Sequence, residues 1–445
     1  MPTEIPATEA ATEPGAEAAA PVHDGPCPSC GEPLTADPRF TAWCPACDWN
    51  LAPSWETVTA SRRERAAIER TDRLFAELAE GRSGATGRRD WLLASSIAAL
   101  VHLSTTALFC WGLWLLVTGN TPLRCIGAAA LGAVVLLRPR LGRLPRDRGV
   151  LARAQAPALY GLADRVAAEV GAAPVDVIRS SAAFNASFGL VGLRRRSVLT
   201  LGLPLWEVLD EQQRIALLGH EFGHRVNGDH RRSLLLGSAL NTLATWYELA
   251  RPSRFRRPGS PLFILIGEVI ARALMTGVAW LLYRVLLLLD RLTSRAGQQA
   301  EYRADALAAR TGGTEAARGM LATLLLGDSA GIAVGRFRAE GGRRPVRTRA
   351  ARASAAAPAP DVLWERLREH LASVPATEHE RLRRCSAWAR AAVDATHPPT
   401  HLRLALVEAA PAREAAVNTD AAEAAAIAAE LAPHRARIAA ELLNG

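Results

Sequence analysis

The chain has 445 residues, and all 53 of its basic side chains are arginine, because the sequence contains no lysine. That excludes P-loop, Schiff-base and Ser-Lys chemistries, each of which needs a lysine amine. The formal charge of +9 gathers at 61–70, 82–89, 138–148, 251–257 and 343–352, in several cases beside apolar segments. That placement suits membrane topology or anionic lipid and argues against nucleic acid as a partner.

Residues 1–25 read as a disordered Ala/Glu/Pro tail, and Glu4, Glu9, Glu13 and Glu17, with no apolar core, separate it from a signal peptide. Cys27-x-x-Cys30 and Cys44-x-x-Cys47 follow, with Pro28, Gly31, Pro45 and Asp48 at turn positions. Two such hooks predict a zinc ribbon over 26–55, its four thiolates holding one structural zinc ion, with Trp43, Trp49 and Trp55 over its small core. Cys110, Cys125 and Cys385 are scattered, which points to a reducing compartment and not to a disulfide scaffold. A charged helical linker occupies 56–90.

From Trp91 to Leu123 no residue is charged, and after Arg124 the apolar run continues to Leu137. The break at Thr118–Pro122 divides 91–137 into a transmembrane hairpin, its second arm short for a crossing. Eight Arg (82, 88, 89, 138, 140, 143, 146 and 148) flank its outer ends and none lies in the turn, so both termini are expected in the cytoplasm. His102, inside the first arm, is expected to be satisfied against a neighbouring helix. A second apolar region, 233–289, either crosses twice or not at all, because the chemistry before and after it must share a side. The Arg-rich stretch 251–257 between its halves favours partial or interfacial insertion. Short strands are expected around 175–179 and 197–201, a mobile Gly/Arg/Ala/Pro loop at 333–360, and C-terminal helices over 411–445.

The chemistry is concentrated in LDEQQRIALLGHEFGHRVNGD, residues 209–229. Asp210 caps a helix with Gln213 three residues on. On that helix His220 and His224 share a face at the spacing that grips zinc, and Glu221, one position round, is placed as general base. Gly219 and Gly223 are read as leaving room for substrate. Two residues compete for the third ligand. His230 lies ten residues after His220, but the metzincin pattern needs glycine where this chain has Asn227. Glu301 shares a helical face with Asp305, so that the first can bind metal while the second accepts a hydrogen bond from a ligand histidine. The whole pattern favours Glu301.

The run from VLTLGLPLWEVLD through HEFGHRVNGD to AEYRADALAAR resembles the HtpX-like membrane zinc endopeptidases, whose wider family includes CAAX prenyl endoproteases and mitochondrial quality-control peptidases. Phe184-Asn185-Ala186 is similar to the family's cleft-lining edge strand, and His397-Pro398-Pro399-Thr400 with Arg403 to its late His-Pro…Arg motif. The resemblance covers roughly 90–405. It implies His220, His224 and Glu301 as ligands, Glu221 as base, Asp305 behind the ligands, Asn185 and Ala186 on substrate, and His397 and Arg403 at the oxyanion. The implied fold is a mainly α, minor β gluzincin-type metallopeptidase domain over 138–410, membrane-anchored and preceded by the ribbon. The implied function is zinc-dependent endoproteolysis of protein substrates at the membrane, in quality control, with one catalytic and one structural zinc ion. A non-catalytic scaffold or ribbon adaptor on the same fold is the rival class. A prenyl-protein protease is the narrower enzyme rival, and it would need a large intramembrane chamber. No residue pattern speaks to an oligomeric state.

Overall fold

The computed structural model describes residues 23–52, 62–82, 88–137, 144–192, 194–227, 233–251, 262–342, 360–388 and 398–444. The chain forms two compact units, 1–59 with 374–385, and 60–373 with 386–445. Of the disordered tail expected over 1–25, residues 23–25 belong to a paired strand instead, held by a partner too distant in sequence for composition to show; residues 1–22 and Trp55 lie outside the described residues.

In the first unit, β1 (His23–Pro26) pairs antiparallel with β2 (Pro33–Ala36). Each CxxC hook closes as a tight turn, with Gly31 N–H donating to Cys27 O and Asp48 N–H to Cys44 O, both at 2.9 Å. Gly31 and Asp48, each four residues past its leading cysteine, have φ of +79° and +57°. The left-handed turn costs glycine nothing and is tolerated by aspartate, which explains the residue types at these two places. Trp43 and Leu51 are buried beside the hooks. The helical stretch 376–385 closes this small core. Arg381 donates to Leu51 O at 2.9 Å, and Arg384 reaches Asp48 at 2.7 Å while lying over the Trp43 ring.

The second unit begins with α1 (Arg62–Ala79), α2 (Arg88–Thr118) and α3 (Thr121–Leu137). Helices α2 and α3 pack closely where a Cβ on Gly127 would lie 2.7 Å from Gly112 O, the small-residue contact typical of membrane helix pairs. A four-stranded sheet follows in the order β3 (Val150–Leu151), β4 (Val177–Ser181), β6 (Arg196–Gly202), β5 (Ala186–Val191). Strands β4 and β6 run parallel; the other pairs are antiparallel. The two expected strands are β4 and β6, shifted by a residue or two. On one side lies α4 (Pro157–Val170), whose Tyr160 hydroxyl accepts from Ile178 N and donates to Leu151 O, tying helix to sheet.

After α5 (Leu203–Val208) comes α6 (Glu211–Val226), then a π-helical turn (Ser233–Gly237) leading into α7 (Ser238–Ala250). The next helix, α8 (Leu262–Gly312), runs unbroken for 51 residues, about 76 Å at 1.5 Å per residue. It is followed by α9 (Thr314–Leu324), α10 (Gly327–Gly342), α11 (Pro360–Ala372), α12 (Ala376–Trp388), α13 (Thr400–Ala409) and α14 (Ala421–Asn444). The protein is therefore mainly α with a minor sheet.

Helices α2 and α8 are long and apolar enough to cross a membrane, and α3 is apolar but 17 residues long, so the protein is membrane-associated. His102 of α2 sits 3.2 Å from Leu235 O and 3.1 Å from Ser238 Oγ, satisfied against the neighbouring helix as expected. Two expectations change. Partial insertion of 233–289 does not suit α8, which exposes Val269 (60%), Leu274 (66%), Val278, Trp280 (61%) and Leu281 around its circumference. An interfacial helix keeps one strongly charged face, whereas Glu268 and Arg272 are the only charged residues of α8 between 266 and 281, a composition that suits a crossing better. Residues 333–342, expected in a loop, complete α10 instead, because Phe337 is buried under Arg366 and Arg338 donates to Leu442 O on α14. Residues 343–359 lie outside the described residues.

Candidate active site and metal centres

Helix α6 starts where its sequence says it must. Asp210 Oδ1 accepts from Gln213 N at 2.7 Å while the Gln213 side chain accepts from Asp210 N at 3.3 Å, a reciprocal cap. Ile215, Leu218 and Phe222 bury one face of the helix, and the motif histidines lie beside them. Helix α8 crosses this helix closely. A Cβ on Gly223 would stand 2.9 Å from Ala304 Cα, and one on Gly219 would collide with Thr311. These glycines therefore make room for a second helix, not for substrate as their position in the motif suggested.

That contact brings Glu301 to the histidines. His220 Nε2 and His224 Nε2 lie 3.2 Å apart, with Glu301 oxygens 3.6 Å from the first and 3.5 Å from the second. Zinc bonded at about 2.0–2.1 Å in a tetrahedron sets its ligand atoms roughly 3.3–3.4 Å apart, so these three donors fit it in chemistry and in spacing. His220 and Glu301 are buried and His224 half-buried, leaving one side open. Glu221 is buried on the same helix, next to His220.

Behind the donors lies a second layer. Asp305, one turn beyond Glu301, sits 3.0 Å from His220 Nδ1, which fixes the tautomer and leaves Nε2 for metal. The Arg403 guanidinium donates through Nη2 and Nε to the two Asp305 oxygens at 2.6 and 2.8 Å. Its Nη2 also lies 3.4 Å from the ring nitrogens of His220. Burial works to raise the Asp305 pKa, but Arg403 beside it and the His220 contact hold it well below the usual carboxylate range. Against the same burial, Asp305 keeps the Arg403 cation firmly protonated. The two nitrogens facing Asp305 are thus committed away from any substrate oxygen.

Strand β5 forms the wall facing α6. It is the terminal strand of its sheet, with Ala186 opposite Leu201, and Phe188 meets Phe222 edge-on at 5.7 Å between centroids. The side-chain Oδ1 of exposed Asn185 accepts from Ala186 N–H at 2.9 Å and its backbone carbonyl accepts from Gly202 N–H, also at 2.9 Å, so its backbone is held in place at the strand's start. His230 and His397 lie outside the described residues.

Helix α1, read from sequence as a linker, packs on the back of this site. Leu74 is buried against Tyr302 and Leu402, the neighbours of Glu301 and Arg403, and Arg295 pairs with Glu77 at 2.5 Å. No residue of α1 carries a motif, so only an apolar stripe at Leu74, Phe75 and Leu78 could have pointed to it.

In the first unit the Sγ atoms of Cys27 and Cys47 lie 3.7 Å apart and those of Cys30 and Cys44 3.6 Å. A tetrahedral zinc with bonds of about 2.3 Å to sulfur sets its thiolates roughly 3.7–3.8 Å apart, so these four residues also fit the ion.

The profile of peptidase family M48 matches residues 154–410, more than half of the chain, and covers α4 through α13 with every residue of the three-donor cluster. Comparison with curated proteins and with solved structures gives no match.

Proposed function

The chain belongs to peptidase family M48, and from that premise we propose that it is a membrane-bound zinc metalloendopeptidase of the HExxH…E type. The observation that carries this reading is the convergence of His220, His224 and Glu301 from two helices at zinc spacing, with Glu221 beside them. When bound there, zinc supplies Lewis acidity that polarises a scissile carbonyl and acidifies water. Glu221 takes the proton from the attacking water and returns it to the leaving amine. Asp305 holds His220 by its Nδ1–H, and Arg403 holds Asp305. Substrate backbone adds to the free edge of β5 beginning at Asn185 and Ala186, a strand-addition mode that accepts many sequences. The resemblance alone carries His397, as an oxyanion donor.

The ribbon cysteines would hold a second, structural zinc, and they share no residue with the His220–His224–Glu301 cluster. The Arg flanks of α2 and α3 favour catalysis on the cytoplasmic side. Membrane-protein quality control is the role that the resemblance implies, tested by comparing membrane proteomes from cells carrying the wild type and Glu221→Gln. The primary test is simpler. Glu221→Gln should abolish peptide-bond hydrolysis while zinc content stays near that of the wild type. Loss of metal along with activity would remove Glu221 from the role of base.

A further inference from the structure

Arg225 follows His224 in the last turn of α6 and lies one turn beyond Glu221 on the same face of the helix. Its guanidinium carbon stands 5.7 Å from the centroid of Phe188, on the strand whose edge faces substrate. Phe188 in turn packs on Phe222, so the cation rests on a fixed aromatic platform. Nη1 of Arg225 is shielded from solvent and has no hydrogen-bond partner among the described residues. The other arginines near the site differ. Arg403 is clamped by Asp305, Arg310 pairs with Glu169 at 2.8 Å, and Arg318 pairs with Glu315 at 2.9 Å.

A half-buried guanidinium with a desolvated, unsatisfied N–H costs free energy until an anion meets it. Its planar fork matches a carboxylate better than any neutral group. In a peptide added to β5, side chains alternate between the two faces of the sheet, and those on the α6 face pass this guanidinium. We infer that Arg225 is a specificity-determining residue that selects substrates carrying an acidic side chain close to the scissile bond. The selection is for Asp or Glu at one position of the bound strand, and lysine there is rejected by like charge. This rests on the peptidase reading above.

The test uses the full-length, zinc-loaded protein in detergent and a set of peptides differing at single positions flanking one cleavable bond (Glu, Gln or Lys). At one position the Glu peptide should show kcat/KM about ten- to a hundredfold above the Gln peptide, the range of a charge-assisted hydrogen bond, and further above the Lys peptide. Arg225→Gln should bring the Glu:Gln ratio close to one, and Arg225→Glu should invert the order so that Lys is preferred. Should one variant fail to fold, the other and the wild-type ratio still decide. Equal cleavage of all three peptides by the wild type, or an acid preference that survives in the variants, overturns the inference. A preference unchanged in Arg225→Glu, with binding to vesicles containing phosphatidylglycerol weakened, would assign the guanidinium to a lipid phosphate and also overturn it. No cleavage of any peptide by zinc-loaded protein would instead remove the peptidase reading itself.

Discussion

At the scale of single residues, the site is a short relay in which each group is held by the next. Arg403 clamps Asp305, Asp305 fixes His220, and His220 presents Nε2 beside His224 and Glu301. Removing one partner of a buried ion pair leaves the other uncompensated, at a cost of about 3–5 kcal/mol. Asp305→Asn should therefore destabilise the metal-free protein in denaturant melts by an amount in that range, and weaken zinc binding about ten- to a hundredfold in chelator competition. The pH dependence has a definite sign. Because the folded Asp305 pKa lies below that of a free aspartate, near 3.9, its contribution is complete above about pH 4 and is lost as pH falls towards the folded value. Acid titration of metal-free wild type should thus show a component of stability loss below pH 4 that Asp305→Asn lacks; identical acid profiles would contradict the pairing. For the third ligand, Glu301→Ala should lower both zinc occupancy and activity, whereas His230→Ala should leave both intact. The opposite pattern would move the ligand to His230. The histidine pair and its glutamate were legible from four-residue spacing alone, since a helix imposes that geometry locally. Glu301 lies 77 residues beyond His224, and the choice against His230 needed the wider pattern.

At the scale of elements, the site exists because α6 and α8 approach closely enough for their side chains to share one point. Gly223 and Gly219 permit that approach. Gly223→Val should cost about 1–3 kcal/mol through overpacking and, by moving α8 outward, should empty the metal site in elemental analysis. A valine variant that keeps full zinc would show that the helix spacing is not set there. Helix α1 is the other element whose role changed. Leu74→Asp places a charge among Leu74, Tyr302 and Leu402 and should lower zinc occupancy, although it lies outside the matched family region. Deleting residues 1–52 should behave differently. Zinc should fall from two ions per chain to one, with casein still cleaved, because the four thiolates and the three-donor cluster share no residue. A truncation that empties both centres would refute their independence. The hairpin, the two longer strands and the capped motif helix were readable because each is a local pattern of hydropathy, β-branched residues or caps. The α10 extension was not, since its Gly/Arg-rich end is held by Phe337 and Arg338 against distant partners.

At the scale of the whole molecule, the question is how the chain threads the bilayer. Holding Arg on the translocated side is disfavoured by the membrane potential and the anionic inner leaflet, each on the order of 1–2 kcal/mol per charge. On the proposed reading, the eight Arg outside the 91–137 hairpin favour one orientation, with the turn at Gly119 outside and Gly445 inside. The Arg-rich 251–257 stretch argued against a second pair of crossings. We propose that helix α8 outweighs it, because its segment from 266 to 281 exposes Ile266, Val269, Leu274, Trp280 and Leu281 and carries only Glu268 and Arg272 as charges, which suits lipid. If α8 crosses, α7 and the residues before it must cross too, since His224 and Glu301 meet on one side. Single cysteines at Gly119 and Arg254 in a Cys-depleted background should then both react with an impermeant thiol reagent on intact cells, and one at Gly445 should not. Protection at 254 with labelling at 119 would restore the two-span arrangement. What the sequence determined by itself was everything encoded by short-range patterns: the paired CxxC hooks, the apolar hairpin, the HExxH helix and the Arg asymmetry around the hairpin. What only the tertiary structure decided were the contacts between residues far apart in the chain. These are the glycine-lined crossing of α6 and α8, the Arg403 clamp, the α1 brace and the placing of Arg225 over Phe188 with its Nη1 unpartnered among the described residues. The physical reason is that a helix or a turn is specified by neighbours within a few residues, whereas whether a charge is clamped or left unsatisfied depends on which distant elements pack against it.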